Sequence, residues 1–276
     1  MASASGCMVT TKRRLMQWVS ETRMRALQRR PRSGLRILLY HSVGGRVPSD
    51  TYGLSVDPRD FHEQMQWLSR ESGHAVVGLE QGLRDLRRGV DRPLIAVTFD
   101  DGYRDTLTVA APVLRRMGIP FTVFVTSRHL EMGERGNSLY LGYGDITGLC
   151  RLEGVTIGAH GYSHSPLTRL MPADLRAELV RSKQCLEAII GRPVTAISYP
   201  HGAVNRLVRR EARSCGYEIG ATSMIGVNTA ATPGLAIRRT EIVADDGVDG
   251  FRRKVLGAYD WYAMKQRIYW PVPRLS

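Results

Sequence analysis

The chain has 276 residues, of which 43% are apolar and 24% charged, and its net charge is +13. That balance excludes a disordered or fibrous polypeptide, and the length suits a single α/β barrel with a sizeable core. Four lysines, Lys12, Lys183, Lys254 and Lys265, leave arginine to carry almost all the positive charge. The arginines are scattered among acids, as in Arg84-Asp85-Leu86-Arg87-Arg88, so solvated faces explain them more simply than a nucleic-acid partner does. A basic surface would still attract a phosphorylated sugar or an anionic membrane.

Cys7, Cys150, Cys185 and Cys215 form no CxxC pair and fit no zinc spacing. They read as reduced thiols of a cytoplasmic protein. No apolar run reaches signal-peptide or transmembrane length.

Residues 1–34 read as a basic arm ahead of a single folded domain over 35–276. Within the arm, residues 12–30 are helix-compatible, with Leu15, Val19, Thr22 and Ala26 near one face and Trp18 beside it. Such a helix either touches a membrane peripherally or covers the domain. A buried strand is expected over 35–40, ending at His41. Asp57-Pro58 then starts a helix, with Asp57 as N-cap. A short strand over 74–77 and a helix over 80–88 lead to the apolar strand 94–99.

The alternation continues with a helix over 106–117, capped by Asp105, and a strand over 121–125. Residues 131–148, rich in Gly and Tyr, read as a loop. Strands over 155–159, 194–199, 217–221 and 237–243 alternate with helices over 172–190, 205–214 and 249–259. His62, His74 and His129 fall on predicted helix or loop surfaces. Strand–helix alternation implies a parallel sheet, and about seven units favour closure into a barrel. Polar residues at the C-terminal ends of barrel strands converge on one mouth. Here those residues are His41, Asp100-Asp101, His160 and Tyr199-Pro200-His201.

Two adjacent carboxylates ending a buried strand repel each other and lose solvation, a placement best explained by a metal ion or proton transfer. His160 and His164, four apart across Gly-Tyr-Ser, place two imidazoles on one side of a turn. Imidazole suits zinc and similar divalent ions, and two histidines with one carboxylate leave a position open for water or substrate. A second carboxylate is then to spare.

Three motifs, Thr98-Phe99-Asp100-Asp101-Gly102, His160-Gly161-Tyr162-Ser163-His164 and Tyr199-Pro200-His201-Gly202, resemble those of the polysaccharide deacetylases, carbohydrate esterase family 4. Leu38-Leu39-Tyr40-His41-Ser42-Val43 and Phe61-His62-Glu63-Gln64-Met65 resemble its exopolysaccharide-deacetylase branch. The resemblance implies a distorted (β/α)7 barrel. It implies a metal, usually Zn2+, on Asp101, His160 and His164, with Asp100 as general base. The backbone N–H of His201 would stabilise the oxyanion, and its imidazole departs from the family's usual tyrosine. A late histidine that donates a proton in many members is replaced by Arg238-Arg239. Arg239 would orient Asp100 or bind substrate, because arginine stays protonated. The leaving amine would then take its proton from Asp100, His201 or His41. His41 has a second reading, as a hydrogen-bonding partner of loop carbonyls.

His41, Tyr103, Tyr199 and Pro200 would meet the substrate, and Tyr140, Tyr143 and Trp261 are candidates for sugar stacking or for the core. The expected substrate is an N-acetylated amino sugar, free, anionic, or nucleotide- or lipid-linked. Another amide hydrolysis or lyase or isomerase chemistry on the same scaffold, and a non-catalytic basic binding module, are the alternatives.

Overall fold

The computed structural model describes residues 32–45, 47–48, 50–263 and 266. Most of the basic arm, residues 12–30 included, lies outside them.

Strands β1 (Gly34–Tyr40), β2 (Ser42–Val43), β3 (Ser55–Val56), β4 (Ala75–Val76), β5 (Pro93–Phe99) and β6 (Phe121–Val125) come first. They are followed by β7 (Val155–Ala159), β8 (Ala196–Ser198), β9 (Ile219–Ala221), β10 (Val227–Asn228) and β11 (Thr240–Glu241). The helices are α1 (Pro58–Arg70), α2 (Leu79–Arg87), α3 (Ala111–Arg116), α4 (Ser127–Glu134), α5 (Tyr143–Cys150), α6 (Pro172–Ile190), α7 (Arg206–Ser214) and α8 (Gly247–Val255).

The main sheet runs β10-β1-β5-β6-β7-β8-β9, parallel from β1 to β9. A bridge from Ala221 to Ile237, and parallel pairing of Thr240 with Leu38, bring the last segment back onto β1. Seven parallel segments thus complete a distorted (β/α)7 ring, with the two-residue β11 standing where a seven-residue strand was expected.

The period of two along each strand sorts the core into two layers. Leu35, Ile37, Leu94, Ala96, Phe124, Ala196, Ile219, Ala221 and Ile237 fill the interior, and Leu79, Leu83 and Leu86 of α2 close one end. Ile95, Val97, Phe99, Phe121, Val123, Ile157 and Ile197 face the surrounding helices. Pro58 opens α1, where the Asp57 carboxylate accepts from the Arg59 N–H at 2.8 Å, as its capping chemistry predicts.

Gly158 is the tight point of the interior. A Cβ there would lie 2.5 Å from Phe124 Cδ1 and 3.1 Å from the Ala196 carbonyl oxygen. Gly158→Ala is therefore expected to destabilise by about 1–3 kcal/mol through overpacking, measurable as a lower urea midpoint with unchanged slope.

Three sequence expectations are corrected. Residues 131–148 are not simply a loop: they hold the end of α4 and most of α5, whose Ile146 and Leu149 are fully buried. Asp105 holds the expected N-cap position before Thr106 but does not cap it through its side chain: its backbone is already helical, and its carboxylate accepts from Ser42 Oγ instead.

His74 is half-buried rather than superficial. Burial, then the nearby Arg36 charge, lower its pKa to about 4. A histidine kept neutral in the fold but free to protonate when unfolded binds more protons in the unfolded state between about pH 4 and 6.5. Stability is thus complete above that window and falls as pH drops through it, by about 1–2 kcal/mol after discounting for partial exposure. Comparing the acid limb of melting for the parent and His74→Asn checks this; the variant should lose the slope.

Candidate active site

Strand periodicity decides where the paired acids point. Asp100 follows Leu94, Ala96 and Thr98 on the inward side, and its N–H donates to the Tyr40 carbonyl at 2.9 Å. Asp101 would follow Phe99 outward toward the helices. Instead its backbone turns into the left-handed region, φ 71°, and Gly102 continues the turn at φ 77°. Among the described residues, Asp101, His164 (φ 67°) and His201 (φ 57°) are the non-glycine residues with positive φ, and all three lie at this mouth. Each such residue costs on the order of 1–3 kcal/mol, which the surrounding contacts must offset.

The turn brings Asp101 Oδ1 to 3.3 Å from His160 Nε2 and 3.0 Å from His164 Nε2. The ligand atoms of these three residues all lie within 4.8 Å of one another. Asp101 Oδ1 is buried, yet no donor among the described residues is aimed at it in hydrogen-bonding geometry. His160 Nδ1–H donates to the Ser198 carbonyl at 2.8 Å, which leaves the Nε2 lone pair facing the carboxylate. A buried, unsatisfied carboxylate oxygen and two imidazole nitrogens converging on one point fit a divalent ion of the zinc type. Burial alone would raise the Asp101 pKa, but contact with His160 and His164 holds it well below the usual carboxylate range.

Asp100 lies beside this cluster, with Oδ2 3.9 Å from His160 Nε2. Arg239 grips it in a bidentate fork: Nη1–H donates to Oδ1 and Nη2–H to Oδ2, each at 2.7 Å. Ser198 Oγ–H donates to Oδ2 at 2.8 Å. Arg239 is itself fully buried, with Nε–H on the Thr222 carbonyl and its guanidinium carbon 5.6 Å from the centre of the Phe124 ring. Burial pushes the Asp100 pKa up, but the Arg239 charge, followed by His160, more than offsets it and keeps the acid ionised.

The remaining sequence candidates divide. His41 is half-buried at the end of β1, close enough to act electrostatically on Asp100 and Asp101, and its buried Nδ1 has no partner among the described residues. It therefore does not hold a loop carbonyl through that nitrogen. His201 stands exposed at the rim, its ring 4.6 Å from that of His164 and its Nε2–H on the His164 carbonyl at 3.1 Å. Burial, then the proximity of His164, lower its pKa.

Tyr199 is fully buried and its phenol donates to the Leu235 carbonyl at 3.0 Å, and Pro200 is buried beside it. The Tyr199 side chain consequently belongs to the core and does not meet substrate. Tyr103 and Tyr140 are also buried, stacked at 5.4 Å, so the ring of Tyr140 offers no open platform for a sugar.

His129, read from sequence as superficial, reaches the site: its Nδ1–H donates to the Asp101 carbonyl at 3.1 Å and its ring stacks on Tyr140 at 4.1 Å. Nothing in the local pattern around His129 signals this, since its partner lies 28 residues away. Beside the mouth, a cavity of about 800 Å³ opens between the loop after β2 and the segment leading into α3, lined by Gly44, Gly45, Arg104, Asp105, Thr108 and Ser138 among others.

The polysaccharide deacetylase family profile matches residues 87–220, a span that contains Asp100, Asp101, His160, His164 and His201. Residues 87–220 form a polysaccharide deacetylase domain. Members of this family are hydrolases acting on acetamide bonds of carbohydrates, and they are metal-dependent.

This deacetylase is 27% identical over 226 residues to YxkH of Bacillus subtilis (strain 168), named as a polysaccharide deacetylase, which covers 82% of this chain and 75% of that protein. A shorter stretch of 94 residues is 32% identical to the poly-β-1,6-N-acetyl-D-glucosamine N-deacetylase of Escherichia coli (strain K12), covering 33% of this chain and 13% of that protein. Among solved structures, Streptococcus pyogenes deacetylase PplD in complex with acetate superposes with a TM-score of 0.72 at 25% identity. The match covers 82% of this deacetylase and 99% of that chain.

Proposed function

We propose that this protein is a metal-dependent N-deacetylase that hydrolyses the acetamide of an N-acetylated amino sugar within a glycan. The observation that carries the proposal is the unsatisfied, buried Oδ1 of Asp101 facing two imidazole nitrogens, next to a second carboxylate held separately by Arg239. A pure binding module has no use for a second, oriented carboxylate at that place.

Asp101, His160 and His164 would hold the ion. A zinc-like ion supplies Lewis acidity, polarising a carbonyl and making water a competent nucleophile near neutral pH. Asp100 takes the proton from the attacking water, and the Arg239 fork with Ser198 fixes its direction. The backbone N–H of His201 meets the oxyanion, with the left-handed turn at that residue setting its angle. The leaving amine takes a proton from Asp100 or from His41, which stands close enough to act electrostatically on both acids. His201 suits that step less well, since its Nε2 is engaged by the His164 carbonyl.

Poly-β-1,6-N-acetyl-D-glucosamine is the leading substrate, supported by the local identity to the Escherichia coli enzyme. The neighbouring cavity offers room for an adjoining sugar.

The test is release of acetate and of a new primary amine from N-acetylglucosamine oligomers by the Zn2+-loaded protein. Activity should vanish on chelation, return with added metal, and stay absent in Asp101→Ala. Full turnover in the presence of chelator would refute the metal-dependent reading.

A further inference from the structure

We propose that His129 and Glu178, two residues outside the three motifs, are positioning residues that preset the metal-binding turns. The proposal rests on the reading of Asp101, His160 and His164 as metal ligands.

The two ligand turns share one problem. Asp101 and His164 both stand in the left-handed region, at φ 71° and 67°. An L-residue relaxes out of that region unless its flanking peptides are held. Asp101 is held through its carbonyl oxygen, which accepts the Nδ1–H of His129 at 3.1 Å. His129 is fixed in turn by stacking on Tyr140 at 4.1 Å and 18°. The chain around Tyr140 grips the other side of the same turn: Leu141 N–H donates to the Gly102 carbonyl at 3.0 Å, and Arg104 N–H to the Leu139 carbonyl at 2.9 Å.

The second turn is held from α6. One oxygen of Glu178, Oε2, accepts the backbone N–H of Tyr162 at 3.0 Å and that of Ser163 at 2.9 Å. These are the amides of the two residues before His164, whose own carbonyl accepts the Nε2–H of His201 at 3.1 Å. Helix α4 ties the turns together, because its first amides also reach the second motif. Ser127 N–H donates to the Gly161 carbonyl at 3.3 Å and Arg128 N–H to the Tyr162 carbonyl at 2.8 Å. His129, the next residue, then reaches the Asp101 carbonyl. One helix terminus therefore sets the distance between the carboxylate ligand and the histidine ligands.

Outer partners of this kind tune metal affinity by about 10–100-fold, because a ligand that must be turned into place binds more weakly than one already there. The distinction from ordinary packing lies in which feature of each side chain matters. For His129 it is the donor, not the ring. For Glu178 it is the acceptor oxygen, not the charge.

The experiment measures Zn2+ affinity of the metal-free full chain by competition with a chromophoric chelator, together with melting of the metal-free protein. His129→Phe keeps the ring and loses the donor, whereas His129→Asn keeps a donor near the Nδ1 position and loses the ring. Glu178→Met removes the acceptor, and Glu178→Gln retains one. His129→Phe and Glu178→Met should weaken Zn2+ binding about 10–100-fold, while His129→Asn and Glu178→Gln stay close to the parent.

Tight binding by His129→Phe with weak binding by His129→Asn would overturn the proposal in favour of packing. Parental affinity in both His129→Phe and Glu178→Met would overturn it outright. Should His129→Phe fail to melt cooperatively, weak binding by a folded His129→Asn still overturns it. If the parent itself binds no Zn2+ at Asp101, the metal-site reading fails, a result distinct from an unchanged tight affinity in the variants.

Discussion

Asp100→Asn is expected to lower turnover of an N-acetylated glycan by about 10²–10⁴-fold, the usual cost of removing a positioned general base. Asparagine matches aspartate in shape but cannot take a proton. Asp101, His160 and His164 are untouched by the change, so metal content should remain at the parental level. The substitution also leaves the Arg239 charge buried without its carboxylate, since Arg239 is fully buried and Asp100 is its ionic partner. Turnover should consequently be compared well below the melting transition, so that lost chemistry is not confused with lost fold. Turnover within a factor of a few of the parent, with metal bound, would remove Asp100 from the base role.

Arg239→Met is expected to be the most damaging single change for stability, at about 3–5 kcal/mol. The guanidinium makes both halves of the fork to Asp100, donates to Ser198 Oγ at 2.7 Å, and occupies the Thr222 carbonyl. Methionine fills much of the space above Phe124 but leaves the Asp100 charge buried and unpaired. Much of the loss is therefore the penalty on the remaining partner, not the worth of the ion pair. That distinction is measurable: Asp100→Asn/Arg239→Met should recover a substantial part of the stability lost by Arg239→Met alone. Strict additivity of the two single changes in chemical denaturation would show that the pair is uncoupled. Turnover should also fall in Arg239→Met, because among the described residues Arg239 alone holds both oxygens of Asp100.

Much of the fold could be read from the chain because its signals are local. The helix Pro172–Ile190 has a proline in its first turn and Gly191 in the left-handed conformation at its end, so both boundaries are written in residue type. The apolar runs Phe121–Val125 and Val155–Ala159 coincide with β6 and β7 for the same reason. Helices α4 and α5 escaped because Gly133, Gly144 and Gly148 weaken their propensity, and burial of Leu130, Ile146 and Leu149 compensates only in the folded state. The last strand shrank to two residues plus a bridge because the backbone at Arg238 bonds to the Asn228 side chain and the Arg239 N–H to the Met224 carbonyl, instead of to a neighbouring strand.

At the site, residue type and spacing identified the acids and histidines, but not their surroundings. The roles assigned to Asp100 and Asp101 came from family resemblance, and the structure adds how a single left-handed residue separates their directions. Tyr199 looked like a substrate contact because it sits in a motif, yet alternation along β8 sends it into the helix-facing layer. His129 and Glu178 gave no signal at all, because each acts on backbone atoms of distant residues.

The most direct measurement of the central claim is anomalous diffraction at the zinc edge from crystals of the Zn2+-loaded, catalytically competent protein. The account predicts one strong peak within coordination distance of Asp101 Oδ1, His160 Nε2 and His164 Nε2, lost in Asp101→Ala. A competent protein with no peak there, or with its metal held by other residues, would contradict it.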